Sequence, residues 1–283
     1  MDHIKDKTFD EERALYNLKN AKVINCTFAG PQDGESVLKE SRNIEVENCT
    51  FSLRYPIWHN HTYKLLNSKL DVYARAPLWY TSDGEIRNTE IASVKALRES
   101  MRVSVKESSI DSKEFGWKCN HIKIENSNIN SEYIFFDSSD VEIKNLNFTG
   151  KYSFQYMNHL TITDSNLDTK DAFWHSKNVT VKNSIVKGEY LGWFSENLTL
   201  ENCKIIGTQP LCYCKNLTLI DCEMIDADLS FEYSEVEASI KGHIDSIKNP
   251  KSGRIIVDSI GEIIREDSIM EDSCQIIVNG EGS

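Results

Sequence analysis

No apolar run in this chain approaches the roughly twenty residues of a membrane-crossing helix, which excludes a helical membrane protein. Basic residues are in the minority, 32 Lys and Arg against 44 Asp and Glu, and none of them cluster. At a formal charge of -12 the chain has no basic face for phosphates, so nucleic acid is excluded as a partner. Neither a phosphate loop nor a dinucleotide fingerprint occurs, and no cofactor is expected. No Cys-x-x-Cys pair is present, and Cys212-x-Cys214 has no second pair at zinc-like spacing. His59-x-His61 supplies too few ligands to add to it, so no metal site is expected. The opening Met1-Asp2-His3-Ile4-Lys5-Asp6 lacks the apolar core of a secretion signal, and the expectation is a cytoplasmic protein.

What the chain does have is a repeat. A motif of the form Asn-Cys/Ser-x-apolar recurs at nineteen-residue steps, as in Asn126-Ser127-Asn128-Ile129, Asn183-Ser184-Ile185-Val186 and Asn202-Cys203-Lys204-Ile205. Eleven copies stand at Asn25, Asn48, Asn67, Asn88, Glu107, Asn126, Asn145, Asp164, Asn183, Asn202 and Asp221. Only the steps from Asn25 to Asn48 and from Asn67 to Asn88 depart from nineteen. A period of this length marks a solenoid, in which each unit packs only on its neighbours.

Counting each motif Asn as zero, position minus two is always aliphatic (Val23, Val46, Leu65, Ile86, Val105, Ile124, Ile143, Ile162, Val181, Leu200, Leu219). Minus four is nearly so, and this period of two is the mark of a strand with one buried face. The Asn then ends the strand, because Asn tolerates the left-handed conformation of a sharp bend and its amide can bond to the Asn of the next coil. Glu107 interrupts that ladder. Plus three is apolar throughout and marks a second strand; minus ten, from Leu15 to Leu211, is apolar or Gly and marks a third, inward-facing one. His121 and His159 fall in a polar column at minus five and read as corner residues. Cys26, Cys49, Cys203 and Cys222 share one column with Ser and Thr and read as small inward side chains of a reducing compartment.

Three short strands and three corners per nineteen residues predict an all-β protein, a single-stranded right-handed parallel β-helix of about eleven coils. The whole of 1–283 is expected to form one domain, with an N-terminal cap and first coil over 1–20, regular coils over 21–232 and a C-terminal capping segment over 233–283. Thr8-Phe9-Asp10-Glu11 has capping-box spacing and predicts a short helical turn. The stretch from Gly253 to Ile264 reads as two short strands about a turn, fit to close the end of the helix or to pair with a second copy.

Several stretches also resemble a known family: Glu12-Arg13-Ala14-Leu15-Tyr16, Ser52-Leu53-Arg54-Tyr55-Pro56, Lys95-Ala96-Leu97-Arg98-Glu99, Asp168-Thr169-Lys170-Asp171-Ala172-Phe173-Trp174-His175-Ser176 and Gly207-Thr208-Gln209-Pro210-Leu211-Cys212. They are similar to a bacterial domain-of-unknown-function family, and the resemblance runs almost end to end. It implies a right-handed, pectate-lyase-like (pectin lyase fold) β-helix and carries no activity with it.

All five tryptophans lie at minus nine, the column Tyr16, Lys39, Trp58, Trp79, Arg98, Trp117, Phe136, Gln155, Trp174, Trp193, Cys212. Its charged members could not be buried cheaply, so the column is expected to face outward as an aromatic-lined groove for a sugar chain. The residues expected to bind an oligosaccharide or glycoconjugate are Trp58, Trp79, Trp117, Tyr133, Tyr152, Tyr156, Trp174, Tyr190 and Trp193. Exposed indoles would add little to the core, so removing one should leave the fold intact. If a polysaccharide is cleaved, Asp137, Asp171 and His175 are the candidate catalytic groups, with Arg98 as carboxylate clamp or charge stabiliser, in a lyase-like or glycoside hydrolase-like reaction. Asn-Thr-Asp and Asp-Asp motifs and a dense acidic cluster for calcium are absent from the matching strand. The other reading is a non-catalytic scaffold whose aromatic face binds a protein partner or a second copy, a homo-oligomer, with the stacked rings serving as coil-to-coil packing.

Overall fold

The computed structural model describes residues 2–31, 34–271 and 273–279. All regular structure among them is β-strand, and no helix is present among the described residues. The chain forms two compact units, Met1–Glu142 and Ile143–Ser283. Each is a parallel β-solenoid with a spacing of about nineteen residues, and the described residues make about fourteen turns.

In the Met1–Glu142 unit the minus-two column becomes a run of partners in register: Val23 pairs Val46, Val46 pairs Leu65, Leu65 pairs Ile86, Ile86 pairs Val105 and Val105 pairs Ile124. All of them are buried. Each aliphatic side chain withdrawn from water in this way contributes roughly 1.5–3 kcal/mol. The plus-three column is equally ordered: Phe9, Phe28 and Phe51 stack with ring centroids 5.3 and 4.6 Å apart. These spacings follow the distance between hydrogen-bonded strands.

In the Ile143–Ser283 unit the same column runs Ile162, Val181, Leu200, Leu219, again in parallel register. Cys203 and Cys222 are buried as the repeat column predicts. Burial pushes the Cys212 thiol up to about 12 and the Cys214 thiol up to about 11, which keeps both in the unreactive neutral form.

The motif residue turns the corner as expected. Asn25, Asn48, Asn67 and Asn88 have φ between 48° and 55°, and Asn183 and Asn202 have 51° and 52°. Their amides form ladders: Asn48 donates Nδ2 to Asn25 Oδ1, Asn88 to Asn67 and Asn202 to Asn183. A second ladder at minus five carries Asn197 to Asn178 and Asn216 to Asn197. Each bond satisfies a polar group that the bend would otherwise leave unpaired.

The minus-ten column is inside, and its two glycines have a steric cause. Gly116 has φ +77°, and a Cβ built on it would collide with the ring of Phe135 in the following coil. The larger neighbour fills the space that Gly116 leaves.

Two expectations for the ends are corrected. Thr8–Phe9 is a strand paired with Thr27–Phe28, and Asp2–Lys5 pairs with Lys19–Ile24, so the first residues form a coil and no helical turn stands at Thr8. The region after Phe231 also keeps coiling, at an offset of about seventeen residues and then of twenty-one. Glu235–Lys248, Ser252–Ile264 and Gln275–Val278 pair in parallel, with a register shift between Ile240 and His243. Ser252–Ile264 is one strand rather than two about a turn. The count of eleven coils fell short because the C-terminal coils lack the motif and because Asp6-Lys7-Thr8-Phe9, nineteen residues before Asn25, is a further copy with Asp at its corner.

Candidate functional site

The tryptophan column faces outward but is half-buried, for a reason visible in its hydrogen bonds. In the Met1–Glu142 unit Trp79 donates Nε1 to the Lys95 carbonyl over 2.9 Å, and Trp117 donates to Tyr133 over 2.9 Å. Trp58 makes the corresponding bond to Ala76 over 2.5 Å. Each indole therefore staples its own coil to the one that follows.

The ring faces are also spent. Trp58 and Trp79 stack at 5.3 Å and 6°, and in the adjoining column His59 and Tyr80 stack at 4.8 Å and 19°. The two columns meet edge to face, at 87° between Trp79 and Tyr80, which makes a herringbone. Lys39 lies 5.7 Å over Trp58 at the start of this stack. Arg98 closes the other side, its guanidinium 5.1 Å from the Trp79 ring and 5.5 Å from that of Trp117. Tyr133 meets Trp117 edge-on at 6.0 Å.

Arg98 differs from the indoles around it. Its Nε is buried without a hydrogen-bond acceptor, and the Glu99 carboxylate approaches only to 3.6 Å. Asp137 stands exposed at φ 51°, and no hydrogen bond or ion pair reaches its carboxylate among the described residues. The structure thus draws Arg98 together with Trp79 and Trp117, and its place is that of a packed cation between rings.

The Ile143–Ser283 unit repeats the herringbone. Trp174 and Trp193 stack at 5.3 Å and 2°, and their Nε1 atoms donate to Tyr190 and Gln209 carbonyls over 2.6 and 2.8 Å. Beside them Tyr156, His175, Phe194 and Tyr213 form a continuous stack at 5.0, 4.9 and 4.8 Å. Trp193 meets Phe194 at 83°. His175 is therefore held between Tyr156 and Phe194, exposed at its outer edge. Tyr190 packs against Trp193 at 5.4 Å, and Tyr152 is half-buried.

Asp171 is the odd member of this face. It occupies the column of Tyr152 and Tyr190, one coil from each, yet is only 7% exposed. Its Oδ1 is buried with no hydrogen-bond partner. Burial raises its pKa above the ordinary carboxylate value; Lys170 pulls it back and Glu189 adds to the rise. Lys170 and Glu189 are themselves paired at 3.1 Å. Buried carboxyl oxygens are almost always satisfied, so an orphan beside an exposed aromatic surface has the marks of a functional group.

The expectation of indoles standing free as stacking platforms is thereby corrected. Their faces meet one another and their N–H groups meet the backbone, so the herringbone is coil-to-coil packing that leaves ring edges and tyrosine hydroxyls at the surface.

A concavity not read from the sequence lies at the asparagine corner. In the Met1–Glu142 unit it encloses about 620 Å³ and is lined by Asn67, Asn88, Glu107 and Asn126 on one side and by Lys69, Glu90 and Asn128 on the other. The Ile143–Ser283 unit has one of about 230 Å³ in the same columns, at Asn183, Asn202 and Lys204. The break in the ladder at Glu107 was the available sequence signal, but column identity says nothing about depth. Among the described residues no group of three or more His, Cys, Asp or Glu could hold a metal ion.

Comparison with curated proteins gives no match. Among solved structures the chain is similar to PfbA, a surface adhesin of Streptococcus pneumoniae, at 11% identity and a TM-score of 0.43, over 81% of this chain and 72% of that one. It is similar to a tailspike protein of E. coli bacteriophage HK620 in complex with a hexasaccharide, at 9% identity and a TM-score of 0.43, over 92% of this chain and 60% of that one. It is also similar to the catalytic domain of a GH87 alpha-1,3-glucanase in complex with nigerose, at 9% identity and a TM-score of 0.32, over 97% of this chain and 63% of that one. The chain thus spans less than two thirds of the tailspike and glucanase chains. The nineteen-residue coil, the Asn corners and the tryptophan column all fall within residues 2–278, which match one family model over that whole length, and the chain belongs to that family, the proteins of unknown function DUF3737.

Proposed function

We propose that the protein binds carbohydrate, and that the aromatic face of the Ile143–Ser283 unit receives it. The observation that carries this reading is the orphan Oδ1 of Asp171, buried in the column of Tyr152 and Tyr190. A buried carboxyl oxygen without a partner costs about 1–3 kcal/mol or more, and a ligand hydroxyl placed on it would recover that cost. The ring edges of Trp174, Trp193 and Phe194 add an apolar surface for the C–H faces of a sugar ring, and the neighbouring tyrosines add hydroxyls. Apolar area interleaved with hydroxyl-directed polar groups is complementary to a polyhydroxylated ring, and less so to an ion or a purely apolar ligand.

A glycan array with the wild-type protein, followed by titration of each hit against Asp171→Asn, tests this. Binding should weaken at least tenfold in the variant, about 1.4 kcal/mol, while the circular dichroism spectrum stays unchanged. Hits indifferent to Asp171→Asn and to Tyr190→Phe would sink the proposal. Release of reducing ends from a hit would extend the reading from binding to cleavage, with Asp171 as its acid. An array without hits, together with a dimer that Phe194→Ser converts to monomer, would favour the self-associating scaffold.

A further inference from the structure

The indoles of the Met1–Glu142 unit are covered by cations. Lys39 lies over Trp58, and Arg98 serves Trp79 and Trp117 together, its guanidinium 5.1 and 5.5 Å from their rings. A ring face attracts positive charge through its quadrupole, an indole most of all. The stack of Trp174 on Trp193 in the Ile143–Ser283 unit has no such cover: among the described residues no cation lies over either indole. The residue before Trp174 in the column is Gln155, where Arg98 precedes Trp117. Its amide is uncharged and is engaged by the Asp171 carbonyl at 2.9 Å. An amide is also much smaller than an indole, so part of the Trp174 face is left open.

Asp171 borders the same opening. Tyr190 stands three residues before Trp193 and packs against it at 5.4 Å, as Tyr55 does against Trp58 at 4.7 Å. Asp171 stands three residues before Trp174 and puts a carboxyl where those coils put a phenol, which leaves room beside the indole. It is the one carboxylate among the described residues with a buried, unpaired oxygen. Lys170, the cation that acts on it, is held by Glu189 at 3.1 Å and lies 5.4 Å over the Tyr190 ring. An unpaired carboxyl and an open indole face on one turn have the same complement, a positive charge. A hydroxyl would give the carboxyl a neutral hydrogen bond, whereas an ammonium gives a charge-assisted one, roughly twice as strong, and lies against the ring as Arg98 does. It would also counter the burial that raises the pKa of Asp171.

We propose that the glycan received at this face carries a free amino group, a hexosamine whose ammonium sits between the Asp171 carboxyl and the open face of Trp174. The inference rests on the carbohydrate reading above and narrows it to one substrate class. The sugar ring still meets the ring edges and tyrosine hydroxyls, and the amino group supplies the charge that this turn lacks.

Three hexasaccharides with one backbone test it, since hexaglucosamine, cellohexaose and hexa-N-acetylchitohexaose differ only in carrying an ammonium, a hydroxyl or an acetamide at C2. Isothermal titration calorimetry in slightly acidic buffer at physiological salt should rank hexaglucosamine at least about tenfold above the other two for the wild-type protein. Asp171→Asn should bring the three within about threefold of one another. Gln155→Arg, which places over Trp174 the cation that Arg98 supplies in the other unit, should do the same. Glu262→Gln removes an exposed charge from the same unit and should keep the ranking. Loss of the ranking there too would show general attraction of a cation to an acidic protein and overturn the proposal. Equal affinity for hexalysine would show a binder of cationic peptides and overturn it as well. Equal binding of the three hexasaccharides, lost in Asp171→Asn, overturns the amino-group inference and leaves the carbohydrate reading standing. Binding of none of the three also overturns it, while the array hits decide the broader reading separately. The wild-type ranking decides even if a variant fails to fold.

Discussion

Gln155 donates its Nε2 proton to the backbone carbonyl of Asp171 over 2.9 Å, the same bond that Trp174 and Trp193 make from their indoles to residues sixteen positions on. An amide and an indole share little except a planar N–H at the right reach. At this rung the staple is kept without an aromatic ring, whereas Phe136 in the same column keeps a ring against Trp117 without an N–H. The carbonyl that Gln155 takes belongs to the same residue whose side-chain oxygen lacks a partner, so Asp171 is fixed at its backbone and open at its carboxyl.

The staple can be separated from the stack at Trp174. Trp174→Phe keeps a ring against Trp193 but loses the N–H, and should lower stability by about 1 kcal/mol. Trp174→Ala loses both and should cost about 2–4 kcal/mol, within the range for aromatic truncation. Urea denaturation checks both; a midpoint unchanged in the two variants would mean that the indole is an ornament of the surface after all.

Asp171 should leave a signature in the pH dependence of stability. Its folded pKa lies above the ordinary value of 3.8, so the folded state takes up a proton before the unfolded chain does. Stability should therefore rise as pH is lowered through the raised folded pKa, and this gain levels off below about 3.8. Other carboxylates add slopes of their own, and Asp171→Asn removes only this one. The variant should gain most relative to wild type near neutral pH, and the difference should shrink on acidification. Thermal melts between pH 3 and 7 that run parallel for the two proteins would contradict the burial of this carboxyl.

Tyr63 and Gly84 form a large and small pair on successive coils, in register with one another. Tyr63 is buried, its hydroxyl 3.1 Å from Thr81 Oγ1, and a Cβ built on Gly84 would lie 2.5 Å from that hydroxyl and closer still to the ring. Gly84→Ala should cost about 1–3 kcal/mol through overpacking. Tyr63→Leu in the Gly84→Ala background should recover part of the loss, whereas adding the two single effects would leave it worse than either. Strict additivity in a double-mutant cycle would show that the two residues do not share the space.

The repeat was legible because a solenoid writes its geometry into the chain at a fixed period. Val23, Val46 and Leu65 must be apolar for the same local reason, and Asn25, Asn48 and Asn67 must bend for the same local reason. The ends were read wrongly for two different reasons: Ser252–Ile264 coils without the motif, held by pairing to a neighbour already in place, whereas Thr8–Phe9 keeps the nineteen-residue step to Thr27–Phe28 behind an Asp6 corner and was read from its capping-box spacing instead. Tertiary pairing overrode the capping-box signal at Thr8, since two residues that can extend a sheet gain more than an isolated turn would.

The candidate site was legible in its members and not in its geometry. The sequence by itself determined that all five tryptophans share one outward column, that Asp171 and Arg98 interrupt columns of other chemistry, and that Glu107 breaks a ladder of asparagines. Column membership depends only on the period. Only the tertiary structure decided that the ring faces are consumed by a herringbone, that Asp171 is buried with an oxygen unpaired, and that Glu107 opens into a concavity. Those outcomes depend on rotamers, on ring tilt and on how far one coil stands from the next, quantities that arise between residues nineteen positions apart and have no representation in the identity of either one.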